Sequence, residues 1–202
     1  LEEFENYIVG EVILPINHYL VGTENTTLES IERVYSHPQA LMQCSVFLND
    51  NGLKQISVEN TAVAAKRVVK EGDKSQAAIA SEIAGQLYGL ELLKPSIQNN
   101  QGNTTRFVIL ANRKVYQKAA GKISLCFELP HTSGSLYNML GNFIFNHVNM
   151  IMIESRPIPG KNWEYRFFVD FEGNLNDPAV QNALRGLSEE TTRLQILGNY
   201  EA

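Results

Sequence analysis

The sequence is poor in cysteine and has no long apolar run. Cys44 and Cys126 are its two cysteines among 202 residues. This is too few for a disulfide framework, so two buried, reduced thiols are the favoured interpretation. No apolar stretch approaches the roughly 20 residues that a membrane-spanning helix needs. We therefore expect a cytoplasmic protein with no membrane partner.

An excess of positive charge is also lacking. The chain has 17 Lys and Arg residues against 22 Asp and Glu residues, and its formal net charge is −5. A protein that binds a nucleic-acid backbone needs a basic face, so nucleic acid is not an expected partner. The composition is otherwise that of a globular protein, with 44% hydrophobic and 19% charged residues, and it is sufficient to bury a core.

Sequence patterns for metals and common cofactors are missing as well. The histidines are dispersed, and none lies at a usable ligand spacing from a cysteine. No glycine-rich dinucleotide motif, phosphate loop or serine-hydrolase elbow occurs. The sequence therefore predicts no metal and no organic cofactor.

The first half alternates between strand-like and helix-like segments. An apolar strand is predicted over 7–21, with a break at Pro15. Further strands are predicted at 53–58, 77–80 and 105–111, and helices at 39–48, at 61–69 with Thr61 as cap, and after Ser81 with Ile83 and Leu87 facing inward. This alternation is typical of a mostly parallel sheet covered by helices, hence an α/β fold.

The pattern changes from Lys122 onward. Alternating apolar residues predict a half-buried strand over 123–129, and the order that follows is helix, strand, strand, helix, strand. Asp177 and Pro178 form a cap pair that opens the second helix. The order β-α-β-β-α-β predicts a ferredoxin-like sandwich of one antiparallel sheet and two helices, an α+β fold.

Five polar segments lie at predicted ends of helices or strands. Hydroxyls, amides and a guanidinium that converge there would suit a small ligand with several negative charges. Ordinary helix caps and turns are the simpler explanation of the same residues, and a plain cap is favoured for Ser36, but the ligand-binding interpretation stays open. The segments are 35–39, 59–61, 101–107, 133–136 and 154–157.

The same segments carry a resemblance to a known family. The chain resembles prephenate dehydratases through Tyr35-Ser36-His37-Pro38-Gln39, through Gln43-Cys44, and through Tyr88-Gly89-Leu90. In the run Asn103-Thr104-Thr105-Arg106-Phe107, the last three residues match the family's Thr-Arg-Phe motif, and Glu154-Ser155-Arg156-Pro157 matches its ESRP motif. The tail is most similar to that of bifunctional chorismate mutase–prephenate dehydratases.

The resemblance implies conversion of prephenate to phenylpyruvate, water and carbon dioxide, on the route to phenylalanine, without metal or cofactor. It assigns Thr105 to the departing hydroxyl, and for Arg106 it leaves open whether the residue acts on charge or braces the strand. The implied catalytic residues are Thr105, Arg106, Ser36, Gln43 and Glu59. The implied substrate-binding residues are Ser36, Asn60, Thr104 and Thr105.

The tail resembles an ACT regulatory domain. The resemblance implies that L-phenylalanine binds there as a feedback inhibitor, at an interface between two such domains, and therefore that the protein is a homodimer or a higher homo-oligomer. Ser135 stands where the family has Ala. The implied phenylalanine-binding residues are Ser133, Gly134, Ser135, Leu136, Glu154, Ser155, Arg156 and Pro157.

By resemblance, residues 1–115 are part of the catalytic domain and residues 120–202 are the ACT domain. The family's catalytic domain is two-lobed and similar to periplasmic binding proteins, and its first segment precedes the point where this chain starts. The acidic start without Met is expected to mark that cut, and the chain alone is expected to have an incomplete cleft. Two alternatives remain open at this point: a non-catalytic phenylalanine-binding module and a solute-binding protein of transport.

Overall fold

The structure, a computed structural model, describes residues 6–115 and 117–201. It contains two compact units. The central unit is Leu14–Thr105, and the terminal unit combines the residues up to Ile13 with those from Arg106 onward. These limits differ from the predicted domains 1–115 and 120–202, whose outermost residues, including the acidic start, lie outside the described ones.

The central unit is a mixed α/β structure around five strands. In chain order it contains β2 (Tyr19–Gly22), a short 3-10 turn at Leu28–Ser30, β3 (Arg33–Ser36), α1 (Pro38–Gln43), α2 (Ser45–Asp50), β4 (Lys54–Ser57), α3 (Thr61–Glu71), β5 (Gln76–Ala80), α4 (Glu82–Leu87) and β6 (Glu91–Lys94). The strands are hydrogen-bonded in the order β4-β3-β5-β2-β6.

Alternation along these strands places a core on each face of the sheet. Leu20 and Val34 pack with Leu41 and Leu48 on one face, whereas their chain neighbours Val21 and Tyr35 belong to a second cluster with Ala64, Ala65 and Val68 of α3 on the other. This follows from the two-residue period of a strand. Every residue of β5 is buried, as expected of a central strand covered on both faces.

Several expectations for this unit were wrong. The sheet is not mostly parallel: β3 pairs in parallel with β4 and β5, but β2 pairs antiparallel with β5 and β6. The predicted helix over 39–48 is two helices separated at Cys44, and Asn60 rather than Thr61 caps α3. Ile83 and Leu87 are 76% and 77% exposed, because α4 is only six residues long and turns this side away from the core.

The terminal unit contains the ribbon of β1 (Tyr7–Pro15) and β7 (Thr104–Ala111), both of which cross the unit limits. After it come β8 (Lys122–Glu128), α5 (Ser135–Phe145), β9 (Met150–Pro157), β10 (Tyr165–Glu172), α6 (Pro178–Glu190) and β11 (Arg193–Tyr200). The last four strands form a sheet of order β11-β8-β10-β9, and every pairing in it is antiparallel.

Both faces of this second sheet are covered near its middle. Met139 and Phe143 of α5 and Val180 and Leu187 of α6 pack on one face, against alternate residues of β8 and β10. On the other face, Ile8 packs with Cys126, Leu197 and Tyr200. The half-buried character predicted for the first strand was therefore wrong, because Lys122 to Phe127 are all buried.

Candidate active site

A polar cleft lies at one edge of the sheet in the central unit. It occupies about 400 Å³, within the roughly 300–1,000 Å³ of small-molecule sites. The parallel strands β3 and β4 end at this edge, and α1 and α3 begin just after them. The cleft is lined by Ile16, His18, His37, Gln39, Ala40, Gln43, Asn60, Thr61, Asn103, Thr104 and Thr105.

Main-chain hydrogen bonds hold the segment Ile16–His18 against the start of β7. The Ile16 N–H donates to the Asn103 carbonyl oxygen at 2.8 Å. The His18 N–H donates to Oε1 of the buried Gln98 at 3.0 Å, and the His18 carbonyl accepts from the Ile97 N–H at 3.0 Å. This segment, which joins β1 to β2, is thus tied to residues about 80 positions later.

Side chains at two helix starts complete the opposite wall. The His37 side chain accepts from the Gln39 N–H through Nδ1 at 3.2 Å, and the Asn60 side chain accepts from the Val63 N–H at 2.8 Å. These bonds satisfy N–H groups that a helix leaves unpaired in its first turn. The start of α3 also carries a partial positive charge, which favours a nearby anion.

The lining contains no Lys, Arg, Asp or Glu among the residues that the structure describes. Its polar groups are hydroxyls, carboxamides, imidazoles and backbone N–H groups. Such groups can hold carboxylates and a hydroxyl through directed hydrogen bonds. Their selectivity then depends on where the donors point rather than on net charge.

Four of the predicted site residues meet in this cleft: Gln43, Asn60, Thr104 and Thr105. Gln43 is the last residue of α1, Asn60 caps α3, and the two threonines open β7. They come from three separate parts of the chain. Their convergence is what a ligand site requires, although the role of each residue stays a prediction.

Ser36 and Glu59 lie elsewhere. Ser36 is fully buried, and its hydroxyl donates to the Ile79 carbonyl oxygen at 2.8 Å. This hydrogen bond joins β3 to β5, and the substrate-binding role assigned to Ser36 stays a prediction. Glu59 is exposed and is not among the lining residues, and its assigned role also stays a prediction.

Arg106 lies within a buried charge network of the terminal unit. Its Nε is 2.6 Å from Oε2 of Glu11, its Nη1 contacts the Asp170 carboxylate, and its Nη2 donates to the Tyr200 hydroxyl at 3.0 Å. Lys122 Nζ donates to Glu11 at 2.7 Å. Two cations therefore neutralise two carboxylates that are 2% and 4% exposed.

Two hydroxyls extend this network into a chain of hydrogen bonds. The Ser124 hydroxyl donates to Asp170 Oδ1 at 2.5 Å. The Tyr200 hydroxyl lies 2.8 Å from the Ser124 hydroxyl. Each hydroxyl has one proton, so the consistent direction is Arg106 to Tyr200 to Ser124 to Asp170. Burial raises the pKa of Glu11, but hydrogen bonds and charges from Lys122 and Arg106 outweigh it, and the net pKa is below its ordinary value.

Sequence reasoning missed Ile16, His18 and Ala40 as site members. His18 stood out only as one of four dispersed histidines, and Ile16 carried no motif signal. His37, Gln39, Thr61 and Asn103 lie inside the polar segments 35–39, 59–61 and 101–107, but such segments do not say which side chains face a cleft. Only the pairing of Ile16–His18 with the start of β7, a long-range contact, brings these residues together.

In the terminal unit, the predicted phenylalanine-binding residues fall into two groups. Gly134 precedes α5 with a φ of 85°, a left-handed conformation that favours glycine. The Ser135 hydroxyl lies 2.7 Å from the Pro130 and Thr132 carbonyl oxygens. Ser135 and Leu136 line a pocket of about 150 Å³ together with Trp163 and other residues. The exposed Ser133 and Gly134 adjoin this group.

The second group, Glu154 to Pro157, is the exposed end of the edge strand β9. Arg156 and Glu154 form an ion pair at 2.6 Å with side chains 69% and 49% exposed. Ser155 lies opposite Phe167, on the helix-covered face, whereas Arg156 lies opposite Arg166, on the other face. The pocket lined by Ser135 and Leu136 contains no member of this second group.

Two searches of the described residues gave no candidates. Within residues 6–115 and 117–201, no cluster of three or more His, Cys, Asp or Glu side chains could hold a metal ion. No helix in that part of the chain is long and apolar enough to cross a membrane.

The sequence was compared with known families and proteins. The family model described as prephenate dehydratase matches residues 1–115. A bifunctional chorismate mutase/prephenate dehydratase of Aquifex aeolicus is 38% identical over 195 residues, which cover 96% of this chain and 53% of the relative. The chain spans about half the length of the curated relatives it matches.

Two solved structures share the fold closely. GqqA, described as a novel type of quorum quenching acylase, has a TM-score of 0.86 and 34% identity over 98% of this chain and 72% of its own. The prephenate dehydratase of Arthrobacter aurescens in complex with L-Phe has a TM-score of 0.86 and 28% identity over 98% of this chain and 66% of its own. With a family match over more than half of its residues, the chain belongs to the prephenate dehydratase family.

Proposed function

We propose that the protein containing this chain is a prephenate dehydratase, which converts prephenate to phenylpyruvate in phenylalanine biosynthesis. The main observation in support is that Thr104 and Thr105 line one uncharged, polar cleft together with Gln43 and Asn60. Membership of the family and the similarity to the Aquifex aeolicus enzyme support the same reaction.

The chemistry needs few protein groups. Prephenate loses carbon dioxide from one ring carbon, and the electron pair of the broken C–C bond enters the ring. The C–O bond at the opposite carbon breaks, and the departing oxygen leaves with its electron pair and takes up a proton to become water. Because the ring becomes aromatic, the driving force is large. The protein must hold two carboxylates and stabilise the leaving oxygen.

Thr105 is the residue that we assign to the leaving oxygen. An aliphatic hydroxyl is too weak an acid to transfer a proton early, so its contribution is a hydrogen bond that strengthens as negative charge develops. Asn60, Gln43 and the start of α3 are placed to orient the carboxylates. Thr104 adds a second hydroxyl at the same end of β7.

The test is turnover of prephenate, followed by the absorbance of phenylpyruvate, in the full-length protein and in the 202-residue chain. Turnover by the full-length protein supports the proposal, and its absence contradicts it. If only the full-length protein is active, residues outside this chain complete the cleft. If neither is active but L-phenylalanine binds, the alternative of a non-catalytic phenylalanine-binding module is correct.

The similarity to GqqA makes acylase activity a second candidate. An amidase usually needs an activated nucleophile beside a base. Among the described residues that line the cleft, no hydroxyl is recorded in a hydrogen bond with a histidine, since His18 contacts Gln43 and His37 contacts the Gln39 N–H. The arrangement therefore favours the dehydratase. Hydrolysis of an acylated amine, measured in parallel, would favour the acylase instead.

We further propose that residues from about 120 onward form an ACT domain that binds L-phenylalanine as a feedback inhibitor. The β-α-β-β-α-β order, the sheet order β11-β8-β10-β9 and the packing of both helices on one face support a ferredoxin-like domain. The Arthrobacter aurescens relative, solved with L-Phe, supports the ligand. Inhibition requires that phenylalanine bind two states of the protein unequally.

The remaining proposals concern architecture and context. The central unit, with its parallel strands and layers of helices, is proposed as one lobe of a two-lobed domain similar to periplasmic binding proteins. A homodimer or higher homo-oligomer would bring two ACT domains together. We also propose a cytoplasmic location and no nucleic-acid or membrane partner, in keeping with the net charge of −5.

A further inference from the structure

The Arg106 guanidinium is held from three directions. Glu11 of β1, Asp170 of β10 and Tyr200 of β11 each contact a different nitrogen of the group. A planar guanidinium with three differently placed partners is fixed in both position and orientation. All three partners are buried or nearly so, so little freedom remains for the side chain.

This anchoring acts on the neighbouring residue. Thr105 and Arg106 are adjacent on β7, so their side chains project to opposite sides of the strand and their Cα atoms are about 3.8 Å apart. Thr105 lines the cleft, while Arg106 enters the charge network. A fixed Arg106 therefore limits the movement of the Thr105 backbone and of its hydroxyl.

We propose that Arg106 is a positioning residue, anchored by Glu11, Asp170 and Tyr200, that sets the place of the Thr105 hydroxyl in the cleft. This inference rests on the proposed function, because it matters for rate only if Thr105 acts on the substrate. A direct role of Arg106 on substrate charge is disfavoured. The Glu11 and Asp170 carboxylates already surround the guanidinium, so no uncompensated positive charge is left for an anionic substrate.

The test compares Arg106→Lys with Lys122→Gln in the full-length protein. Lysine keeps the positive charge but cannot reach three partners at once, so the fold is retained while the anchoring is lost. Lys122 belongs to the same network through Glu11, yet it is not on β7. It therefore controls for general damage to the network. The measurements are kcat, KM, the thermal midpoint and the NMR signal of the Thr105 methyl group.

We expect Arg106→Lys to lower kcat by about 10- to 100-fold, the effect of a small misplacement of a reacting group, with KM changed by less than about twofold. The Thr105 methyl signal should shift or broaden in this variant and stay in place in Lys122→Gln. An unchanged kcat, a rise in KM alone, or an equal loss of kcat in both variants would overturn the proposal. If the wild type does not turn over prephenate, the proposed function fails. The Thr105 methyl signal alone then decides whether Arg106 positions Thr105.

Discussion

The Nε2 atom of His18 lies 2.7 Å from Oε1 of Gln43, inside the candidate active site. In the tautomer that protonates Nε2, this atom donates to the Gln43 carbonyl oxygen, and Nδ1 is left as an acceptor. Gln43→Met keeps the volume of the side chain but removes this acceptor. We expect kcat/KM to fall by about 5- to 10-fold, the value of one hydrogen bond. Nitrogen-15 NMR of the imidazole should show the Nε2-protonated tautomer in the wild type and a loss of this preference in the variant.

Thr105 should be the most sensitive residue of the cleft. Thr105→Val keeps the shape of the side chain and removes the hydroxyl, so we expect kcat to fall by about 100-fold or more, with little change in KM. Thr105→Ser, which retains the hydroxyl, should keep most of the activity. Steady-state kinetics with prephenate measures both, and a near-normal rate for Thr105→Val would refute the assignment.

Arg156 offers a test of the proposed effector site. Its exposed side chain pairs with the exposed Glu154, and this solvent-exposed pair leaves it accessible to a ligand carboxylate. Arg156→Ala should weaken binding of L-phenylalanine by about tenfold or more, as for loss of a hydrogen bond to a charged group. Isothermal titration calorimetry measures this, with Lys161→Ala as the matched control because Lys161 is also an exposed cation paired with a glutamate. Equal affinities in the wild type and in Arg156→Ala would show that the ESRP motif has a structural role here and does not bind phenylalanine.

Glu11 should make stability depend on acid pH. Its pKa in the folded protein is below the ordinary value of 4.5, so its stabilising effect is complete above that value and is lost as the pH falls through the folded-state pKa. Glu11→Gln should lower stability at pH 7 by about 3 kcal/mol, since it leaves buried cations short of a partner. In this variant, stability should also depend less steeply on pH below 4.5 than in the wild type.

Thermal midpoints measured between neutral and acid pH test this prediction. Glu164→Gln is the control, because it removes an ion pair of the terminal unit whose glutamate side chain is 38% exposed, and such pairs contribute little. A Glu11→Gln profile parallel to that of the wild type would contradict the expectation.

The two cysteines should be unreactive in the native protein. Cys44 is fully buried, and this burial raises its pKa to about 12. Burial also raises the pKa of Cys126. Because the thiolate is the reactive form, a thiol reagent such as DTNB should titrate neither residue until denaturant is added. Rapid labelling of the native protein would show that one of these sites opens.

Local signals predicted much of the fold. The capping of α4 by Ser81 and the start of α6 at Pro178 followed from cap chemistry that acts over three or four residues. The direction of β2 did not follow, because antiparallel pairing with β5 and β6 is decided by contacts distant in sequence. The break between α1 and α2 at Cys44 was missed because the helical spacing of apolar residues continues across it, although the helical backbone conformation is interrupted there.

The site shows the same division. Motif resemblance indicated Gln43, Asn60, Thr104 and Thr105, which share the cleft, but it equally indicated Ser36 and Arg106, which do not. A motif identifies positions on a strand or helix, not the direction in which each side chain points. For Thr105 and Arg106, adjacent residues on β7, that direction separates a cleft residue from a member of a buried network.

The two units also differ in when they can be completed during protein synthesis. The central unit is one continuous stretch, whereas the terminal unit joins Glu11 to a partner as late in the chain as Tyr200, and joins Arg106 to Asp170. A domain usually folds as a unit while the chain emerges from the ribosome. The central unit can therefore fold while β10 and β11 are still unmade. Until they appear, Arg106 lacks Asp170 and Tyr200, and the network around Glu11 is incomplete. A nascent chain arrested before β11 should thus have a protease-resistant central unit and a more easily cleaved β1.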